Sequence, residues 1–228
     1  MTCLRSRRRD RARVQEDTQG LAEGQDGRDL PMSGALIAFE GLDQSGKQTQ
    51  AELLRDRLKE RGRKARLVSF PDYGTSIGEE IARALAGERE YGPDVMQLLY
   101  VANRYERRAD LQRWLAGGLI LVCDRYTASS VAYGEAFGLD AAWLVDMQKL
   151  LPAPTLTILL DLAPETAVQR KTLDRDRYER DLALQTRVRE SYLRQALAQQ
   201  WVILGGERSR ADVADDVIRA VASALALP

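Results

Sequence analysis

Residues 39–50, FEGLDQSGKQTQ, match the spacing of a phosphate-binding loop. Gly41, Gly46 and Lys47 fill the template G-x-x-x-x-G-K-[ST], in which glycines let backbone N–H groups surround an oxyanion and the lysine reaches the terminal phosphates. The loop follows an apolar run and precedes an amphipathic one, and this context favours nucleotide binding over an ordinary glycine turn. We predict that these residues form a nucleotide-binding loop around the phosphates: Gly41, Leu42, Asp43, Gln44, Ser45, Gly46, Lys47, Gln48 and Thr49.

The last position of the template usually supplies a ligand to the metal ion. It holds Gln48, whose neutral amide stands where a hydroxyl usually contacts Mg²⁺. Thr49 does not replace that hydroxyl, because the next residue of a helix lies about 100° around the axis. We expect Mg²⁺ to be held largely by phosphate oxygens and waters, with the carboxylates of Asp43 and Asp124 nearby.

The composition narrows the chemistry. The 228 residues contain no histidine, which removes the usual general base and the usual zinc ligand and disfavours hydrolase mechanisms. Phosphoryl transfer remains, since it depends on positioning and on charge stabilisation by lysine, arginine and Mg²⁺. The 34 basic residues balance the 34 acidic ones, so no overall basic field would recruit nucleic acid.

Cysteine usage and apolar runs indicate the compartment. Cys3 and Cys123 lie far apart in the chain, so we expect no disulfide framework and a reducing cytoplasm. The longest apolar runs are far shorter than the roughly 20 residues of a membrane span, so we expect no membrane association.

The elements that must position the loop form an alternation of strands and helices. Five near-continuous apolar runs are typical of buried parallel strands: ALIAF, ARLVSF, LILVC, TLTILLDL and WVILG. Helical spacing predicts helices over residues 50–61, from Pro93 towards residue 117, over 164–171 and over 182–200. This pattern predicts an α/β fold whose parallel sheet is covered by helices on both faces.

The first 33 residues differ from the rest. They mix charges with Gly and Gln and show no apolar period, so we interpret residues 1–33 as a disordered or dispensable tail. Five acidic residues disfavour a transit peptide: Asp10, Glu16, Asp17, Glu23 and Asp26. Residues 34–228 then form the domain.

Four further stretches combine with the loop: SFPDYGTSIG, LLYVANRYERR, DRYTASSVAYGEAFG and DRDRYERDLALQTRVRESY. Together they make the sequence resemble thymidylate kinases, which convert dTMP to dTDP. The resemblance covers the chain from about Ala35 onward. It implies a P-loop NTPase-type three-layer sandwich with a five-stranded parallel sheet, ATP and dTMP as substrates, Mg²⁺ as cofactor and a homodimer.

The resemblance also implies roles for the acceptor site. Phe70 would stack on thymine, and Arg104 would donate to the base edge. Arg125 would bind the dTMP phosphate, and Asp43 would lie near the sugar and that phosphate. Tyr133 would crowd a ribose 2′-hydroxyl and favour deoxyribose. Further substrate contacts are implied for Tyr73, Ser129, Ser130, Tyr178 and Glu179.

The late arginines correspond to a lid around residues 170–182 that closes over ATP. Related enzymes place a catalytic arginine in the phosphate loop or in the lid. Gln44 occupies the loop position here, so the resemblance favours Arg175 and then Arg177.

Two other interpretations remain. The chain could be a deoxynucleoside kinase or a monophosphate kinase with another base preference. It could also be a catalytically weak nucleotide-binding regulator, for which Gln48 is the one positive argument. A strand-end D-R-Y with a phosphate-gripping arginine suits a monophosphate acceptor better than a neutral hydroxyl.

Overall fold

The computed structural model describes residues 34–170 and 181–227. The strands are β1 (Ala35–Glu40), β2 (Ala65–Ser69), β3 (Ile120–Asp124), β4 (Leu156–Asp161) and β5 (Val202–Gly205). All are parallel, in the spatial order β2-β3-β1-β4-β5. The predicted five-stranded parallel sheet is confirmed.

The helices lie between the strands. They are α1 (Lys47–Glu60), α2 (Ser76–Leu85), α3 (Pro93–Glu106), α4 (Arg108–Ala116), α5 (Thr127–Ala136), α6 (Ala141–Asp146), α7 (Pro164–Arg170), α8 (Leu182–Gln199) and α9 (Arg210–Ala224). None of them, in the part of the chain that the structure describes, combines the length and apolarity needed to cross a bilayer.

Alternate residues of the central strands build the core on each face of the sheet. On one face, Ile37 and Phe39 of β1 pack in a cluster with Leu54 of α1 and Val217 of α9. On the other face, Leu36 and neighbouring strand residues pack against α4, and further clusters involve α5 and α8. Because both faces are covered, the central strands β3, β1 and β4 consist mainly of buried apolar residues, as their sequences indicate.

The expected single helix from Pro93 towards residue 117 is divided in two. α3 ends at Glu106 and α4 begins at Arg108, with Arg107 at φ −92° and ψ −3° between them. The Arg107 guanidinium donates to Asp72 Oδ2 at 2.6 Å, so a partner from another element holds the junction. Helical spacing in the sequence does not reveal this contact, because Asp72 lies 35 positions away in the chain.

The parallel register places the ends of three neighbouring strands at one edge. Asp124 of β3 pairs with Phe39 of β1 and with Ser69 of β2. The residues that follow these strands therefore emerge side by side, where ligands collect in open parallel sheets. The predicted tail over 1–33 and most of the predicted lid over 170–182 lie outside the described residues.

Candidate active site

The phosphate-binding loop connects β1 to α1 through a backbone that favours glycine. Gly41 and Gly46 have φ of 139° and 95°, in the left-handed half of conformational space, and Gln44 has φ 65°. A Cβ on Gly41 would lie 2.4 Å from the carbonyl oxygen of Leu160. The glycines of the motif are therefore required by the local geometry, as expected for a loop that encloses an oxyanion.

Lys47 is the first residue of α1 and is only 5% exposed. Its Nζ donates to the carbonyl oxygen of Leu42 in the loop at 2.6 Å. Burial and the charge of Arg125 lower the pKa of Lys47, the carboxylates of Asp43 and Asp124 oppose this, and the result is about 8. An added anion would raise this pKa and favour the ammonium form.

Arg125 and Asp43 form a partly buried ion pair at the mouth of the loop. Arg125 Nη2 donates to Asp43 Oδ1 at 2.5 Å, and the Tyr133 hydroxyl donates to Asp43 Oδ2 at 3.0 Å. Burial alone would raise the pKa of Asp43, but the charges of Arg125 and Lys47 together with these hydrogen bonds hold it well below its usual value. Asp43 is therefore ionised at neutral pH and balances the arginine.

A polar network lies beneath Arg125. Its Nη1 donates to the hydroxyls of Tyr192 and Ser129 at 3.1 and 3.3 Å, and both hydroxyls bond to Glu40 Oε2. Glu40 and Tyr192 are not among the residues predicted from the sequence. The available signal for Glu40 was a carboxylate at the end of an apolar strand, directly before the loop, whereas nothing in the sequence brings Tyr192 of α8 to this place.

A cleft extends from the ion pair to an aromatic pocket, and a concave site lined by aromatic and polar side chains suits a small-molecule ligand. The guanidinium of Arg104 lies 5.9 Å from the centroid of the Phe70 ring. Arg104 is 3% exposed and donates to Ser130 Oγ at 2.8 Å and to Gln148 Oε1 at 3.4 Å. Gln148 is a further partner that no sequence motif indicated.

The structure brings most of the predicted acceptor-site residues to this cleft. Its lining includes Asp43, Phe70, Tyr73, Arg104, Arg125, Ser129, Ser130 and Tyr133. Tyr73 lines the cleft and is half exposed to solvent. Arg175, Arg177, Tyr178 and Glu179 lie outside the described residues.

The two carboxylates expected near Mg²⁺ differ in what they can offer. Both oxygens of Asp43 already accept hydrogen bonds. Asp124 Oδ1 is buried without a hydrogen-bond partner among the described residues, and its charge acts on Lys47. No group of three or more metal-binding side chains occurs in residues 34–170 and 181–227. Asp124 fits a cation held mainly by phosphates and waters better than Asp43 does.

A second cleft adjoins the outer side of the phosphate loop. Gly46 and Thr49 line it together with Arg170, Arg208 and Arg210. Arg170 donates to the carbonyl oxygens of Gln44 and Gly206, at 3.1 and 2.8 Å, and so links the loop to the turn after β5.

The side chain of Gln48 lies on the exposed surface of α1. Its amide donates to Glu52 Oε1 at 3.0 Å, one turn along the helix. This bond joins two residues of the same helix at the solvent-exposed surface. The unusual residue of the motif therefore leaves the backbone of the loop undisturbed.

Comparison with known proteins gives consistent results. Residues 39–217 match the family model described as thymidylate kinase. The chain is 39% identical over 159 residues to the thymidylate kinase of Arabidopsis thaliana, covering 70% of this chain and 60% of that relative. It is 32% identical over 189 residues to the thymidylate kinase of Plasmodium falciparum, covering 82% and 90%.

A solved structure shares the fold. The thymidylate kinase from Candida albicans superposes with a TM-score of 0.71 at 30% identity, covering 84% of this chain and 92% of that one. Broad substrate specificity is ascribed to the Candida protein.

Proposed function

Because this chain belongs to the thymidylate kinase family, we propose that it transfers a phosphoryl group from ATP to dTMP and so forms dTDP. The observation that carries the proposal is one continuous cleft. It joins an aromatic pocket at Phe70 and Arg104 to the Arg125–Asp43 pair, which lies next to the phosphate-loop lysine. This order matches the base, sugar and phosphate of a nucleoside monophosphate.

In this proposal, Arg125 binds the phosphate of dTMP and Arg104 donates to the thymine edge. The proposal is supported by the burial of Arg104 and the partial burial of Arg125, which strengthen hydrogen bonds to a ligand that excludes water. Phe70 stacks on the base, a contact worth about 1–3 kcal/mol. Tyr133, held by Asp43 at 3.0 Å, stands where a ribose 2′-hydroxyl would be crowded.

The reaction needs no histidine. The second pKa of a phosphate monoester is about 6, so the acceptor oxygen of dTMP is already largely anionic at neutral pH. What the site must supply is compensation for two anionic phosphates that approach in line. Lys47 holds the donor phosphates, and Arg125 holds the acceptor phosphate.

ATP enters on the other side of the loop. The cleft lined by Thr49, Arg170, Arg208 and Arg210 supports this placement of the nucleoside part. Asp124, through waters, would hold Mg²⁺ at the phosphates, where the cation supplies charge neutralisation during transfer. Asp43 would contribute a second carboxylate nearby.

We also propose that a lid arginine neutralises the transferring phosphoryl group, with Arg175 first and Arg177 second. The phosphate loop itself carries Gln44 and so offers no arginine of its own. An arginine at such a position accelerates phosphoryl transfer by about a thousandfold or more. Tyr178 and Glu179 would border the substrate.

The assembly and compartment are part of the same proposal. The chain would work in the cytoplasm, as its cysteine usage indicates, and without nucleic acid, as its balanced charge indicates. It would form a homodimer, as the family resemblance implies. Large apolar side chains exposed on α3 and α6, namely Val95, Leu98, Trp143 and Val145, offer surface for a second copy. Sedimentation at several protein concentrations would measure the assembly.

The proposal is tested by ADP release with ATP and Mg²⁺ across dTMP, dUMP, the ribose form of TMP, CMP, AMP and thymidine. We expect strong preference for dTMP and loss of turnover in Lys47→Ala. Preference for thymidine would indicate a nucleoside kinase. Binding of ATP and dTMP without turnover of any acceptor would indicate a nucleotide-binding regulator.

A further inference from the structure

Glu40 is a fully buried carboxylate at the end of β1. Its burial needs a reason, because a charged group in the interior must be fully hydrogen-bonded to avoid a large desolvation cost. Both oxygens of Glu40 accept hydrogen bonds. The bond to Oε1 connects Glu40 to the backbone of Arg125, and the bonds to Oε2 connect it to the guanidinium.

The first path runs through the backbone. Glu40 Oε1 accepts a hydrogen bond from the backbone N–H of Tyr126 at 2.8 Å. Arg125 itself donates its backbone N–H to the carbonyl oxygen of Phe39 at 2.9 Å. Between these two bonds Arg125 has φ 63°, a left-handed conformation that is unfavourable for a non-glycine residue. Bonds on both sides hold the arginine in it.

The second path runs through two hydroxyls. Glu40 Oε2 accepts from Ser129 Oγ at 2.6 Å and from the Tyr192 hydroxyl at 3.1 Å. The two hydroxyl oxygens also lie 2.8 Å from each other. Each hydroxyl has one proton, and in this network that proton points to Glu40 or to the other hydroxyl.

This orientation leaves hydroxyl lone pairs for the arginine. Arg125 Nη1 donates to Tyr192 at 3.1 Å and to Ser129 at 3.3 Å. Burial and then the charge of Glu40 raise the pKa of Tyr192, so its proton stays in place. A guanidinium has donors only, so the hydroxyls can accept from it only while their own protons are directed elsewhere.

We propose that Glu40 is a positioning residue that fixes Arg125 for the phosphate of the acceptor nucleotide. This inference rests on the proposed function, since it takes dTMP as the ligand of Arg125. Glu40 acts through Tyr126, Ser129 and Tyr192 and does not touch the substrate. It sets both the backbone conformation of the arginine and the direction of the hydroxyls that hold its guanidinium.

The isosteric change Glu40→Gln tests this role. An amide has one acceptor oxygen and one donor nitrogen. If its oxygen faces the Tyr126 N–H, its NH₂ group donates to the hydroxyls of Ser129 and Tyr192. Their protons must then point towards Arg125, which is itself a donor. If its oxygen faces the hydroxyls, its NH₂ group opposes the Tyr126 N–H. One of the two paths to Arg125 is lost in either arrangement.

The experiment compares dTMP with thymidine, which lacks the phosphate, by calorimetry. We expect Glu40→Gln to weaken dTMP binding about tenfold or more and to leave thymidine binding within about twofold, because the base and sugar contacts are intact. Tyr192→Phe should act in the same direction by about threefold. Should Glu40→Gln fail to fold, Glu40→Asp replaces it: the shorter carboxylate cannot reach both the Tyr126 N–H and the two hydroxyls, so the same selective loss of dTMP affinity is expected.

Glu135→Gln is the matched control. Glu135 lies on α5 and accepts hydrogen bonds from Ser191 and Arg194 of α8, so it also bridges to α8 but does not contact Arg125. We expect both ligands to bind this variant within about twofold of the unmodified chain.

Two results would overturn the inference while leaving the kinase proposal intact. One is an equal loss of dTMP and thymidine affinity in Glu40→Gln, which would indicate a general structural role. The other is unchanged affinity for dTMP. Failure of the unmodified chain to bind dTMP would instead contradict the proposed function and this inference with it.

Discussion

Among single residues, the pKa values of Lys47 and Arg125 shift in opposite directions, although burial lowers both. Burial lowers the pKa of Lys47 to about 8, since its carboxylate neighbours compensate only in part. Burial also acts to lower the pKa of Arg125, but the charge of the adjoining Asp43 raises the pKa of that guanidinium well above its ordinary value. Ligand binding near neutral pH can therefore change the protonation of Lys47, whereas Arg125 stays protonated.

Lys47 gives a prediction on proton uptake. With a pKa of about 8, the ammonium is about half neutral at pH 8 in the nucleotide-free protein, and bound phosphates raise its pKa. ATP binding at pH 8, where the phosphates are already ionised, should take up about half a proton. Calorimetry in buffers of different ionisation enthalpy measures this uptake.

Lys47→Arg is the control for that measurement. A guanidinium stays charged throughout this pH range, so the uptake assigned to residue 47 should disappear. The same uptake in the variant and in the unmodified chain would show that the proton belongs to another group.

Among the elements, the connection from β2 to α2 depends on a residue of α3. The fully buried Asn103 accepts from the backbone N–H of Asp72 at 2.7 Å. Its amide donates to the Asp72 carbonyl at 3.1 Å and to Thr75 Oγ1 at 2.8 Å. This connection carries Phe70 and Tyr73 into the cleft, so α3 fixes the base pocket from behind.

Replacing Asn103 by Ala should therefore affect stability and binding together. The lost bonds leave buried polar groups of the turn without partners, at a cost of about 1–3 kcal/mol in the free energy of unfolding. We also expect weaker dTMP binding, because the pocket loses its support. Chemical denaturation and calorimetry measure the two effects.

Gln112→Ala on α4 provides the comparison. Gln112 is exposed, and an exposed substitution of this kind usually changes stability by no more than about 0.5 kcal/mol. Equal effects of the two variants would contradict the role given to Asn103.

For the molecule as a whole, the strand order explains why a single cleft forms. β1 and β3 are neighbours in the order β2-β3-β1-β4-β5, and the chain leaves them in opposite directions across the sheet. Such a reversal opens a crevice at the carboxyl ends of the strands. The phosphate loop enters this crevice from β1, and Arg125 enters it from β3.

Ligand binding should stabilise this whole unit. At a dTMP concentration 100 times its Kd, binding adds about 2.7 kcal/mol to the free energy of unfolding. For a domain of this size that corresponds to a rise in Tm of about 5–10 °C. A thermal unfolding series measures the shift, and an equal shift with CMP at the same concentration would contradict a site built for thymine.

The sheet was predictable from the sequence because each strand is a short, nearly continuous apolar run. The family was predictable because the loop and four further stretches occur together in order, and the similarity to known thymidylate kinases confirms it. The cleft also brings together residues selected from those stretches, including Phe70, Arg104 and Arg125.

Other features depend on contacts between distant parts of the chain. The break at Arg107 requires Asp72 from another element, so helical periodicity alone predicts a continuous helix. Tyr192 reaches Arg125 across 67 positions of sequence, and only packing of α8 against α5 brings it there. α9 was not predicted, because it follows the last apolar strand and no motif marks it, although its buried face packs against β1 and α1.

The most direct test of the account follows the phosphoryl group itself. ATP labelled at its terminal phosphate is incubated with dTMP, Mg²⁺ and the full chain, and the labelled products are separated. The account predicts that the label appears in dTDP and that Lys47→Ala abolishes the transfer. Label found in inorganic phosphate, with none in dTDP, would contradict it.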